Sequence, residues 1–297
     1  MKMKKNTKQT TINSIPYNNL DIDTGIFHLG KDKLGNRFSK TLKFTDINYL
    51  IAREDERNDI YTRYSKTLNL LTDEMEALLQ IVNRKADFKD IEEEVTVELK
   101  GDDLDEIRND YNKIIINGLK EGKGNMKKEL YLTLITRAKD FKEADRQFGK
   151  IIKELEAEFK SFGSDLKEVN VAERLELIYD ELNYDSVGEF KYEFTEKDRN
   201  RIKTSKAAIA PEYMKFDLNY YKINERYYRG MYLKSVGEML DDEFIDDLLS
   251  TNTDMIISLY MKPLEKTKSI EVVKKSKTGG RNGRSFRWHK DGGTPSD

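Results

Sequence analysis

Apolar positions along the chain repeat at two different periods, and their alternation predicts a mixed α+β fold. Over 139–162 they recur every three or four residues: Phe141, Ala144, Phe148, Ile151, Ile152, Leu155 and Phe159 make one unbroken helical stripe, with Gly163 placed as a C-cap. The segment before it, "ELYLTLIT", is apolar enough to be a central strand. "GIFHLGKDKLGNRFSKTLKFTDINYLIA" reads as two strands around a Gly/Asp/Asn turn, with Phe38, Leu42 and Phe44 in the second. "REDERNDIYTRYSKTLNLLTDE" puts Ile60, Tyr64, Leu68 and Leu71 on one helical face, with acids in the first turn where the helix dipole favours them. "EALLQIVNRK" is a strand, and the acidic stretch around Glu92–Glu94 a solvated loop. A further helix from Asp103 carries Leu104, Ile107, Tyr111, Ile114, Ile115 and Leu119 before "EGKGN" stops it. "SDLKEVNV" then reads as a short strand and "AERLELIYDELN" as a helix.

From Arg37 to Val171 this spells β-α-β, an inserted helix, then β-α-β, the order of a split βαβ, ferredoxin-like antiparallel sheet with helices packed on one face. The pattern weakens over 187–210, a charged connector. Beyond Pro211, "PEYMKFDLNYYKINERYYRGMYLKSV" suggests two or three strands turning near Asn219 and Asn224. The helix "DDEFIDDLLS", the strand "DMIISLYM" and a helix after Pro263 follow. This second β-α-β-α unit lacks a closing strand and is expected to be incomplete, its remainder lying in sequence not present. The expected organisation is a flexible basic N-terminus over 1–20, an α+β domain over 21–186, the connector, the second unit over 211–275 and a disordered tail over 276–297.

Composition narrows the chemistry. Hydrophobic residues make up 37% and charged residues 36% of the 297 residues, and the charges nearly cancel at −2, so only a local patch could draw the chain to nucleic acid or anionic lipid. There are no cysteines, and His28 and His289 are the only imidazoles, which removes disulfides, thiolate nucleophiles, imidazole-rich metal sites and Ser-His-Asp chemistry. No apolar run approaches the ~20 residues of a membrane span, and no signal-type apolar stretch follows the basic start. A cytoplasmic protein is expected. Lys2, Lys4, Lys5 and Lys8 either touch a membrane surface or sit on a solvated terminus.

Three motifs were weighed for chemistry. "GGRNGRS" falls one residue short of the P-loop spacing and has Arg284 in place of the lysine. Asp102-Asp103, Asp241-Asp242 and Asp246-Asp247 point about 100° apart on a helix and read as caps and solvated charge rather than metal ligands. Between Tyr213 and Tyr232, seven aromatics interleave with basic residues. On one exposed face, Lys215, Tyr221, Lys222, Arg226, Tyr228 and Arg229 would stack bases and hold phosphates. The bland reading has aromatics pairing across strands while the cations line the wet face. The tail "KTGGRNGRSFRWHKDGGTPSD" has no periodicity and reads as a disordered end or a basic arm.

In order and spacing, "TLKFTDINYLIAREDERNDIYTRYSKTLNLL", "GDDLDEIRNDYNKIIINGL" and "KKELYLTLITRAKDFKEADRQFGKIIKELEAEF" resemble the N-terminal region of the type IV secretion traffic ATPases. The likeness is to the CagE/TrbE/TraC kind carried by Gram-positive conjugative elements. "MYLKSVGEMLDDEFIDDLLSTNTDMIISLYMKPLEKTKSIEVVKKS" extends it, so that it covers residues 15–276. The resemblance implies a cytoplasmic protein, peripheral at the inner face of the cell membrane. It would dock on membrane-proximal components of the conjugation channel and on other copies of the ATPase, with no small-molecule substrate. The family's ATP is hydrolysed by a C-terminal RecA-like motor. This chain has no Walker A lysine, Walker B acid or arginine finger, so the resemblance transfers no catalytic, cofactor-binding or metal residue, and the chain is expected to be inactive alone. The competing expectation is a single-stranded nucleic-acid-binding module built on the Tyr213–Tyr232 ribbon.

Overall fold

The protein is seen in a computed structural model that describes residues 7–47, 53–85, 96–120, 126–192, 194, 202–234, 243–251 and 253–279. It is an α+β protein with a seven-stranded antiparallel sheet, and its central strands are β3 (Gly35–Phe44), β4 (Met75–Lys85) and β5 (Met126–Ala138). β5 pairs with β3 from Asn36↔Ala138 to Phe44↔Leu130, and with β4 from Met75↔Thr136 to Lys85↔Met126. Seven consecutive β5 residues, Leu130 to Thr136, are buried, so both faces of the strand are covered.

One face is covered by α2 (Glu54–Asn69) and α4 (Phe141–Ser161). The predicted α4 stripe is the reason: Ala144, Phe148, Ile151, Ile152, Leu155 and Phe159 are buried against Phe38, Leu42, Met75, Ala77, Leu132 and Leu134. Asp140 caps the helix by accepting from Glu143 N at 2.9 Å, and Gly163 takes the left-handed conformation (φ 86°) that ends it. β6 (Leu166–Glu168) follows and pairs with the far half of β3. The four strands therefore lie in the order β6-β3-β5-β4. The sheet extends beyond these four strands: β2 (Phe27–Asp32), the other predicted strand of the hairpin, pairs with β3, and β1 (Asn19–Leu20) pairs with β2.

The opposite face is covered at one end by α5 (Val171–Leu182), which begins with a capping box. Asn170 Oδ1 accepts from Ala172 N and Glu173 N, and Glu173 Oε2 accepts from Asn170 N. α1 (Thr7–Ser14) and α6 (Ile202–Ile209) pack beside it around Ile15, Tyr17, Phe27, Leu175 and Ile209. Two expectations are corrected here. From Thr7 onward the N-terminus, expected to be flexible, is folded: Tyr17 is 2% exposed and bonds Ser205 through its hydroxyl at 2.9 Å. The connector, expected to carry no element, contains α6 with Ile209 fully buried.

Arg174 ties the layers together from inside. It donates to Ser39 O (2.8 Å), Ser39 Oγ (2.7 Å) and Gly25 O (3.3 Å), with its guanidinium 4.0 Å from the Phe27 ring. Burial pushes its pKa down to about 9, so it still enters the core as a cation at neutral pH. Gly25 sits at φ 67°, and a Cβ there would come within 3.2 Å of Val169 O, which only glycine avoids.

The third correction concerns the strand expected to close on nothing. β10 (Met255–Met261) is not part of a second unit's sheet; it pairs along its whole length with β4, from Met255↔Asn83 to Met261↔Ala77. What stands apart is a small three-stranded sheet of β7 (Met214–Phe216), β8 (Tyr221–Ile223) and β9 (Arg226–Tyr228). Asn224, at φ 50°, makes the expected turn and accepts from Glu212 N and Tyr213 N. Three helices lie outside these layers: α3 (Asp105–Lys120), α7 (Glu243–Leu249) and α8 (Lys266–Gly279). The loop at Glu92–Glu94, the "EGKGN" stop, Asp241-Asp242, "GGRNGRS" and the tail from 280, with His289, lie outside the described residues.

Phe148 is fully buried under the sheet. Phe148→Ala is expected to cost about 3–5 kcal/mol, read as a lower urea midpoint at unchanged slope.

Candidate functional site

A cleft of about 1290 Å³ opens on the second face of the sheet. Its floor is the far end of β3, β4 and β5, its wall is α5 with the turn through Tyr184–Ser186, and its rim includes Arg226 of β9. On the floor Lys43 Nζ bonds Glu129 Oε1 at 2.6 Å and lies 5.6 Å from the Tyr131 ring, while the Tyr131 hydroxyl donates to Glu129 at 3.2 Å. Burial and the Glu129 carboxylate hold that phenol well above its usual range. Arg84 lies 3.5 Å from Asp180, and Gly188 N donates to the same carboxylate at 3.2 Å.

Glu173, Glu176 and Asp180, three and four residues apart on α5, crowd acids along this wall. Burial, with neighbouring carboxylates, raises Glu176 and Asp180, and burial pushes Glu181 up to about 7 against the pull of Arg84. Among the lining side chains, carboxylates outnumber cations nine to six. Such a cleft repels phosphate and favours a cationic group. No cluster of three or more metal-ligating side chains occurs among the described residues.

The six residues predicted for nucleic-acid contact do not share one surface. Opposed residues fall on the same face, so the pairing Phe216↔Tyr221↔Tyr228 sets Tyr221 and Tyr228 on one side, with Arg226. Lys215, Lys222 and Tyr227 occupy the other. Arg229 follows β9 and is exposed. The ring of Tyr221 is stacked on Tyr228 (5.3 Å, 8°) and lies 6.0 Å from Phe216, so its faces are occupied. Three of the cations are already paired: Arg226 with Asp185 at 2.5 Å, Lys222 with Glu225 at 2.9 Å and Lys215 with Asp217 at 3.5 Å. Arg226 also lies 4.0 Å over Tyr184, joining the small sheet to the cleft rim. Asp102 and Asp105 converge on Arg108, and Asp102 accepts from Leu104 N at 3.0 Å in the turn before α3.

Sequence reasoning missed a polar knot at the other end of the same sheet face. Glu76, 2% exposed, accepts from Arg37 (2.9 Å), Arg137 (3.2 Å) and the Tyr260 hydroxyl (2.6 Å). Arg137 also donates to Asp32 at 2.7 Å, so the knot spans β2, β3, β5, β4 and β10. Burial alone would raise the Glu76 carboxyl, but Tyr260 and the two guanidinia hold it below its ordinary range. Arg137 and the N–H of Leu34 hold Asp32 down at about 2. The only sequence signal was the charge on alternate strand residues, which reads equally well as a wet face.

Comparison with known proteins finds no matching family model and no matching curated sequence.

Two outcomes follow from these carboxylates. Glu76→Ala would remove the carboxylate shared by the half-buried Arg37 and Arg137 and should cost about 1–3 kcal/mol in chemical denaturation. Glu181 is raised on folding, so its contribution is full below pH 4.5 and declines as pH rises to about 7. Glu181→Gln should flatten that decline, by up to about 3 kcal/mol, in unfolding free energies measured across the window.

Proposed function

We propose that this chain is the N-terminal docking and scaffold region of a conjugative DNA-transfer ATPase of the type IV secretion kind, contributing no ATP hydrolysis itself. The ordered resemblance over residues 15–276 supports the reading, and one structural observation carries it. Leu104, just before helix α3, and Ile107, Tyr111 and Ile114 within it are 53, 67, 50 and 70% exposed, spaced three and four residues apart. Val97 and Leu99, alongside, are 41 and 53% exposed. Asn112 holds that segment to the helix through both its amide groups, bonding Val97 N and O at 2.9 Å. A contiguous apolar surface of this kind marks an interaction site.

The partner in this reading is a membrane-proximal component of the conjugation channel, which places the protein at the inner face of the membrane. No helix of the described residues is long and apolar enough to cross a membrane, so attachment there would be peripheral. A nucleic-acid role for the Tyr213–Tyr232 ribbon has less support, because Lys215, Lys222 and Arg226 are already paired and its predicted contacts are split between two faces.

The full chain, tagged, is expected to capture channel components from detergent-solubilised membranes of cells carrying the element. A variant with both Ile107→Asp and Ile114→Asp should lose that capture while keeping its circular dichroism spectrum. Calorimetry should show no heat of ATP binding. Micromolar ATP affinity, or capture indifferent to the double substitution, would contradict the proposal.

A further inference from the structure

β10 is the last strand of the large sheet. One edge pairs with β4, and no strand among the described residues pairs with the other. Such an edge offers free N–H and C=O groups to another chain, and proteins ordinarily blunt it with a charge, a proline or a bulge. β10 has none of these: it reads MIISLYM, and its register against β4 runs without a shift. Ile256, Leu259 and Tyr260 are 43, 52 and 52% exposed along it.

The strand is also close to its own mirror image about Ser258. Reading outward, Ile257 answers Leu259, Ile256 answers Tyr260 and Met255 answers Met261. The next pair is Asp254 and Lys262, opposite charges that bound the apolar run. In an antiparallel pair of two such strands with a two-fold axis at Ser258, each residue lies directly opposite its counterpart on the same face. Apolar side chains then meet apolar ones, and both ends close with a carboxylate facing an ammonium. These end groups are held near the sheet. Asp254 accepts from Lys85 N at 2.7 Å, and Lys262, its side chain 58% exposed, lies 3.8 Å from Glu76.

We propose that β10 pairs antiparallel with β10 of a second copy in this register, joining two seven-stranded sheets into one continuous sheet. The interface is isologous and closed, since the same strand serves both partners. Backbone bonds supply attachment, and the mirrored sequence supplies the register. This inference does not rest on the docking role of α3, which uses a different element, and either can fail without the other.

Analytical ultracentrifugation of the full chain should show a dimer that dissociates on dilution. Ser258→Lys and Ser258→Asp each set like charges face to face at the axis, and each should sediment as a monomer. Mixed in equal amounts, the two variants should recover the dimer. Because the chain has no cysteine, Ser258→Cys gives an independent readout that survives misfolding of a charged variant. Directly opposed residues lie about 4.5–5.5 Å apart, so it should cross-link fully on mild oxidation. Ile256→Cys should not, its two copies being about 13 Å apart in this register. A chain that stays monomeric at every concentration, a mixture that does not recover the dimer, or equal cross-linking at both positions would overturn the proposal.

Discussion

Burial of both faces of β5 is the constraint from which the rest of the architecture follows. A strand whose residues from Leu130 to Thr136 are all removed from water needs a layer above and a layer below. The α4 stripe supplies the first, set at the helical period so that six side chains reach the sheet from one face. The second comes from α5, through Leu177 on Val82 and Tyr131, and through Arg174 on the Ser39 backbone. β3 shares the requirement, for its residues from Phe38 to Leu42 are buried without a break although three of them are polar. Those polar groups find partners in the layers: Thr41 bonds Thr133 at 2.9 Å, Lys40 meets Glu168 at 2.6 Å and Ser39 receives Arg174.

Where no helix covers the second face, charge takes the place of apolar packing. The Glu76 knot gathers side chains from five strands about one carboxylate, and through Tyr260 it fastens β10 to the sheet. At the opposite end, the cleft is bounded by ion pairs that link the sheet floor, α5 and the small sheet's Arg226. Both arrangements connect elements remote in sequence. The Glu76 knot is a strut about a buried carboxylate, whereas the cleft pairs of Lys43 and Arg226 are partly exposed.

The elements legible in the sequence were those whose local pattern matched their burial. α4, its cap at Gly163, β5 and the turn at Asn224 all follow from periodicity or turn chemistry that a window of a dozen residues contains. α1 shows almost no amphipathic signal, and α6 is only eight residues long within a charged stretch, so neither was legible although Tyr17 and Ile209 are buried. β10 was recognised as a strand and assigned to the wrong neighbours, since its partner lies about 170 residues away and period-two alternation does not name a partner. The Glu76 knot was invisible for a related reason: a charged residue in a strand looks solvated until the cations across the ladder are placed. Of the candidate site, the aromatics of the ribbon were found but their division between faces was not, because the register of three-residue strands depends on the turns joining them.

Among the described residues, the covered sheet is accompanied by an exposed apolar stripe on α3 and an outer edge of β10 that no described strand pairs with. This arrangement rests on β10 belonging to the same cooperative sheet as β5, with only one of its edges paired among the described residues. Residue-resolved amide hydrogen exchange on the chain at low concentration tests this directly. The β5 amides from Leu130 to Thr136 should exchange only with global unfolding. Along β10, amides bonded to β4 should share that slow rate while alternate ones exchange quickly. Uniformly fast exchange from Met255 to Met261, with β4 unaffected, would show β10 to be a separate unit and contradict the account.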